Sequence, residues 1–120
     1  MRDYKKLEVW KKSHEMYMFL KRNIPPKFPK EERHEMTATL LRAALAVPLN
    51  IVAGCGRLSD KDFALFLDNA LASVNETDYC CYAASELGYI TVEEYNRLHI
   101  QILEVKNMLN VFLKSLRPEF

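Results

Sequence analysis

Few residues in this chain could do chemistry. Glu31-x-x-His34 has the spacing of one half of a di-iron centre in a helical bundle. There a Glu and a His three residues on project together into the core, and a second such pair faces them. Here Lys11 precedes His14 and Asn96 precedes His99 at that spacing. The second half is missing, so no metal is expected. Glu31 and Glu32 follow Pro29 and suit the first turn of a helix, where carboxylates meet the positive end of the dipole.

Cys55, Cys80 and Cys81 are the three thiols. An odd count with two adjacent members does not make a disulfide framework, and buried small hydrophobes are their expected role. A reactive thiol would need a cationic, partly open setting. Nucleophile–base pairs, phosphate loops and zinc spacings are not found. The chain therefore reads as non-enzymatic, with no cofactor and no small-molecule substrate. Residues 1–12 are charged throughout, unlike a secretory leader, and a cytosolic setting is expected.

Binding chemistry is better represented. Tyr4, Trp10 and Tyr17 lie among Lys5, Lys6, Lys11 and Lys12, with Arg2 just before them. Interleaved basic and aromatic residues bind single-stranded RNA or DNA by charge and stacking. These five cations are the candidate nucleic-acid contacts. The competing reading places Trp10 and Tyr17 in a core and the lysines on a solvated face.

These residues must be carried by one domain, residues 1–120. Apolar residues make up 49% and charged residues 28%, a globular balance. Net charge is +1, so the chain is not a polyelectrolyte. Its halves differ: residues 1–57 hold 12 Lys and Arg against 6 Asp and Glu, a balance of +6. Residues 58–120 hold 5 against 10, a balance of −5. Such asymmetry marks a nucleic-acid surface, a face that docks on another, or simply solvated helices.

Four helices are expected. The first runs from about Tyr4 to Asn23, with Leu7, Trp10, His14, Tyr17 and Ile24 on one stripe, widened by Val9, Met16 and Leu20. Pro25, Pro26 and Pro29 break it. The second runs from about Lys30 to Cys55, with Pro48 inside and Gly54 or Gly56 as its C-cap. Ser59 caps the third, whose inner residues are Phe63, Leu67, Ala70, Val74, Thr77, Cys81 and Ala84, and Gly88 ends it. Thr91 and Glu94 form a capping box for the fourth. Its seam is Tyr95, Leu98, Ile102, Val105, Leu109, Phe112 and Leu116, and Pro118 stops it. Short links between long helices imply an all-α, antiparallel up-down-up-down four-helix bundle.

The second helix is more apolar than one core needs. Between Ala38 and Cys55 only Thr39, Arg42 and Asn50 are polar. Arg42, Asn50, Pro48 and the amphipathic companion helices argue against a membrane span. A helix apolar nearly all round is buried nearly all round, so its second face is expected to meet another subunit. Pro48 should kink it. The freed Ala44 carbonyl lies where Asn75 and Glu76 could form a buried polar pair.

The motifs resemble a known family. Asp3-Tyr4-Lys5-Lys6-Leu7-Glu8-Val9-Trp10 is similar to its opening, and Phe28-Pro29-Lys30-Glu31-Glu32 to its entry into the second helix. Arg42-Ala43-Ala44, Val47-Pro48, Asn50-Ile51 and Gly54-Cys55-Gly56-Arg57 resemble its central signature. Ser59 to Phe63, Phe66-Leu67, Asn75-Glu76 and Leu87 to Ile90 continue the likeness. The family is that of four-helix proteins from intervening sequences of 23S ribosomal RNA genes. The resemblance implies oligomeric bundles, often pentameric rings, without established enzyme activity. A related branch, the accessory variability proteins of diversity-generating retroelements, forms a pentameric barrel that binds a reverse transcriptase and nucleic acid. This chain is less basic than that branch. It also departs from the family at Ala46 and Leu49, where small or polar residues are usual, and at Ala53, where an acid is usual. Leu58 stands where Gly is frequent.

Arg42, Ala46, Leu49 and Ala53 are spaced four, three and four and share one helix face. They are the candidate oligomer contact. The expected assembly is a cyclic homo-oligomer, a pentamer by resemblance, docked head to tail because the two halves carry opposite charge. The alternative function is an RNA- or single-stranded-DNA-binding accessory protein acting with a reverse transcriptase or ribosomal RNA.

Overall fold

Four helices follow one another with short connections, and no strand occurs among the described residues. A computed structural model describes residues 2–117. The helices are α1 (Glu8–Asn23), α2 (Met36–Cys55), α3 (Asp60–Glu86) and α4 (Val92–Leu116). α1 packs on α2 and α4, and α3 packs on α2 and α4, while diagonal pairs make at most glancing contact. The long dimension is 44 Å against 23 and 20 Å, close to the roughly 40 Å of a 27-residue helix at about 1.5 Å per residue.

The caps on α3 and α4 form as their spacing requires. Ser59 Oγ accepts the Asp62 N–H at 3.1 Å. Thr91 Oγ1 accepts the Glu94 N–H at 3.0 Å while Glu94 Oε1 accepts the Thr91 N–H at 2.8 Å. Gly88, at φ 78°, closes α3. The Tyr89 N–H reaches the Ala84 carbonyl at 2.9 Å and the Gly88 N–H reaches Ser85 at 3.0 Å, the paired bonds of a Schellman cap. The inner α3 stripe from Phe63 to Ala84 is buried throughout, as are Leu98, Ile102, Val105 and Leu109 of α4. Tyr95, Phe112 and Leu116 pack at its margin, and Leu113 completes it. The expected stop at Pro118 lies outside the described residues.

Four expectations are corrected. α1 begins at Glu8, not Tyr4: Tyr4–Lys6 is a 3₁₀ turn capped by Asp3, and extended Leu7 separates the two. The buried stripe of α1 is Val9, Ser13, Met16 and Leu20, rotated from the one drawn through Trp10, His14 and Tyr17. Ser13 can sit inside because its hydroxyl donates to the Trp10 carbonyl at 2.8 Å, and His14 is exposed.

α2 begins at Met36, not Lys30. Lys30–Glu32 is a 3₁₀ turn, and Arg33 to Glu35 are a further turn. Residues 30–35 are all charged or His and have no apolar face to bury, so packing does not recruit them into the helix. Glu32 instead accepts the Tyr89 hydroxyl at 2.8 Å. Gly56 is the C-cap of α2 with right-handed φ −80°, whereas Gly54 lies within the helix and is buried.

Asn75 and Glu76 are exposed and form no buried pair. The 100° helical step turns Val74 and Thr77 inward and the two residues between them outward. Ser73 and Thr77 are the buried polar residues of α3, with Thr77 Oγ1 donating to the Ser73 carbonyl at 2.8 Å. Asn50 bonds within its own helix, its Nδ2 donating to the Ala46 carbonyl at 2.8 Å.

Candidate functional site

The face of α2 away from the core carries the four residues grouped by spacing. Arg42, Leu49 and Ala53 are exposed and Ala46 is half-buried, with Leu45 beside them. Leu49 keeps 54% of its surface open and Leu45 37%. The opposite face of α2, including Ala44, Val47 and Ile51, is fully buried. By length and composition α2 is also apolar enough to cross a membrane.

The five basic candidates separate into different roles. The Arg2 guanidinium pairs with Asp60 at 3.0 Å and lies 4.5 Å from the centre of the Phe63 ring. Its backbone N–H donates to the Cys55 carbonyl at 2.9 Å. Arg2 thus lashes the start of the chain to the α2–α3 turn. Lys11 pairs with Glu8 at 3.3 Å and Lys12 with Glu104 at 3.2 Å. Glu104 raises the Lys12 pKa through the hydrogen bond and its charge. Lys5 and Lys6 are exposed and in no ion pair among the described residues. Trp10 stacks on His14 with ring centres 5.0 Å apart and meets the Tyr4 edge at 4.9 Å. Tyr4, Trp10 and Tyr17 all rest against the core.

Among the described residues no three His, Cys, Asp or Glu converge on a common point. Glu31 and His34 are exposed in the turn preceding α2. Cys55, Cys80 and Cys81 are free and buried. Burial raises all three thiol pKa values, and Cys81 is pushed up to about 12 by burial and then by Cys80 and Asp78. Such thiols stay protonated and unreactive.

One cluster escaped the sequence reading. Asp78 of α3 accepts the Tyr95 hydroxyl at 3.1 Å and meets His99 Nδ1 at 2.8 Å. A carboxylate only accepts, so the Nδ1 carries the proton. Burial, then the Asp78 charge and hydrogen bond, push the Tyr95 pKa up to about 12. Tyr82 packs its ring edge on Tyr95 at 5.7 Å. The one local signal was the four-residue spacing of Tyr95 and His99, which places both on one face of α4. Asp78 could be paired with them only across helices. Through these contacts Asp78 links α3 to Tyr95 and His99 of α4, a polar clamp between the two helices.

The buried side-chain nitrogens and oxygens described all have partners, and no unsatisfied group points into an interior site. Fold and surfaces together define an all-α protein of four long helices whose unpartnered features are outward faces. The model of the 23S rRNA-intervening sequence protein family matches residues 5–111, and the chain belongs to that family. It is also similar to a crystal structure described as a protein with unknown function from the S23 ribosomal protein family, from Bacteroides thetaiotaomicron VPI-5482. The TM-score is 0.81 at 25% identity, over 88% of this chain and 98% of that one. No curated protein matches the sequence.

Proposed function

We propose that the protein is a non-enzymatic, cytosolic scaffold that works as a cyclic homo-oligomer of single-domain up-down-up-down bundles. The pentamer number comes from the family resemblance. The observation that carries the reading is the outward stripe of α2, with Leu45 and Leu49 open to solvent on a helix whose other face is already buried. Pro48 supports a kink: it lies buried within α2, where it removes one backbone donor and its ring crowds the preceding turn. Bending there would wrap α2 around α1 and α3. A membrane is a poor occupant for the stripe, because Arg42 lies on it and a charged residue inside a bilayer is costly.

Sedimentation equilibrium at micromolar protein tests the assembly. A single species at the 14.0 kDa protomer mass would overturn it, and a closed species other than a pentamer would overturn only the number. Leu49→Lys should weaken assembly by tenfold or more, about 1.4 kcal/mol, with helicity unchanged. Lys5 and Lys6, unpaired beside the Tyr4–Trp10–His14 stack, favour a second reading as an RNA- or single-strand-binding accessory protein. Gel shifts with single-stranded RNA and structured ribosomal RNA test that reading. It requires affinity that falls steeply with salt, and no binding at low salt would remove it.

A further inference from the structure

We propose that the cavity between the end of α1 and the first turns of α4 binds a small amphipathic carboxylate, with its hydrocarbon part inside and its carboxylate on Arg97. α1 and α4 make the sparsest of the four neighbour contacts around the bundle. Their seam opens widest where Pro25 and Pro26 turn the chain away from α1. The space there is about 540 Å³, within the roughly 300–1,000 Å³ of small-ligand pockets. Ile24 and Leu98, both buried, and half-open Phe19 form its apolar walls. No residue of α2 lines it, so the site is independent of the assembly reading.

The polar groups on the walls are few, and one cation among them is uncommitted. Glu94 is the single acid, and both its oxygens are taken. Oε1 accepts the Thr91 N–H at 2.8 Å, and Oε2 holds the Lys27 ammonium. Asn23 donates to the Phe19 carbonyl at 2.9 Å. Arg97 lies one turn beyond Glu94 and is in no ion pair among the described residues. Half-buried Gln101 follows it by four residues on the same face of α4. Arg97 and Gln101 also border the adjoining opening, where Lys12 holds Glu104 at 3.2 Å and Glu15 is the one acid without an ion pair. A guanidinium fork beside apolar walls suits a carboxylate, which it can grip through two parallel N–H bonds. An amine would meet two like charges there, and a neutral chain would leave the guanidinium unused. The other opening of the seam, about 430 Å³ among Leu7, Val9, Met108, Val111 and Phe112, has Glu8 as its one charged residue, already held by Lys11 at 3.3 Å. It offers an acid no cation, so head-group charge separates the two openings.

Octanoate is the probe, compared with octanol and octylamine, which keep the chain and change only the head group. Titration calorimetry reads affinity, and heteronuclear NMR locates the site through the side-chain amides of Asn23 and Gln101. Octanoate should saturate at one per chain and shift both amides. It should bind at least about tenfold more tightly than octanol or octylamine, the gain expected from a charge-assisted hydrogen bond. Arg97 is exposed, so Arg97→Gln should keep the circular dichroism of the wild type while its octanoate affinity falls to that of octanol. Absence of saturable octanoate binding would overturn the proposal. So would octanol or octylamine binding as tightly as octanoate, or an Arg97→Gln variant with unchanged affinity. Shifts confined to Val111 and Phe112 would place the ligand in the other opening and refute this site.

Discussion

Gly54→Ala sets two effects of opposite sign against each other, and the geometry decides between them. Within a helix, Ala is favoured over Gly by about 1 kcal/mol. A Cβ at position 54, however, would stand 2.6 Å from Phe63 Cδ1, 3.0 Å from Phe63 Cε1 and 3.0 Å from Phe66 Cβ. Phe63 has little room to yield. It is fully buried, edge-on to Phe112 at 5.3 Å and covered by the Arg2 guanidinium. The Phe66 contact is to its Cβ, which moves only with the α3 backbone. Overpacking of this kind costs about 1–3 kcal/mol. Position 54 is also one residue from the end of α2, where helix propensity counts for less. The steric cost should win: about 1–3 kcal/mol, less a propensity gain of roughly 0.5 kcal/mol near the helix end, leaves a net loss of about 0.5–2.5 kcal/mol. Urea unfolding followed by circular dichroism at one fixed protein concentration measures it, because any assembly makes the midpoint depend on concentration. Phe63→Leu added to Gly54→Ala should recover part of the loss, a coupling of about 1 kcal/mol in a double-mutant cycle. If Gly54→Ala alone is as stable as the wild type or more so, the close approach of α2 to α3 is not as described.

The Tyr95 pKa is raised to about 12 from an ordinary 10, so the fold favours the neutral phenol. Its contribution is fully present below about pH 10 and is lost as pH rises from 10 to 12, where the unfolded chain ionises first. Tyr95→Phe should flatten that part of the alkaline unfolding profile, and an unchanged profile would show that Tyr95 does not cause it. Cys55, Cys80 and Cys81 should resist a disulfide exchange reagent at pH 8 while folded, and all three should react in denaturant. Rapid labelling of any of them in the native protein would contradict their burial. Gly88→Ala meets no atom within 4 Å but must hold φ +78°, a strain worth about 1–2 kcal/mol. Thermal unfolding should register that loss, and no shift would mean that the Schellman turn relaxes freely.

What the sequence determined by itself was local. The caps at Ser59 and Thr91, the stop at Gly88 and the buried stripes of α3 and α4 depend on residues within a few positions of one another, and they stand where spacing put them. Family membership was legible for a similar reason, since its motifs are short runs spread along the chain. The α2 surplus was visible as composition, and its outward stripe is where the spacing placed it. Tertiary structure decided the rest. Residues 30–35 could have been helical by propensity, but without an apolar face they gained nothing from packing, and Glu32 went to Tyr89. α1 rotated so that Ser13 faces inward and His14 outward, a choice set by the surfaces of α2 and α4 and not by the stripe with the most aromatic residues. Arg2 looked like a free cation until Asp60 and Phe63, about sixty positions away, were brought beside it. Asp78 and His99 lie 21 residues apart, and only the packing of α3 on α4 makes them a pair. A helix writes its own periodicity into three or four neighbouring residues, whereas which side chain meets which across a helix pair depends on rotation and offset, and no single segment encodes either.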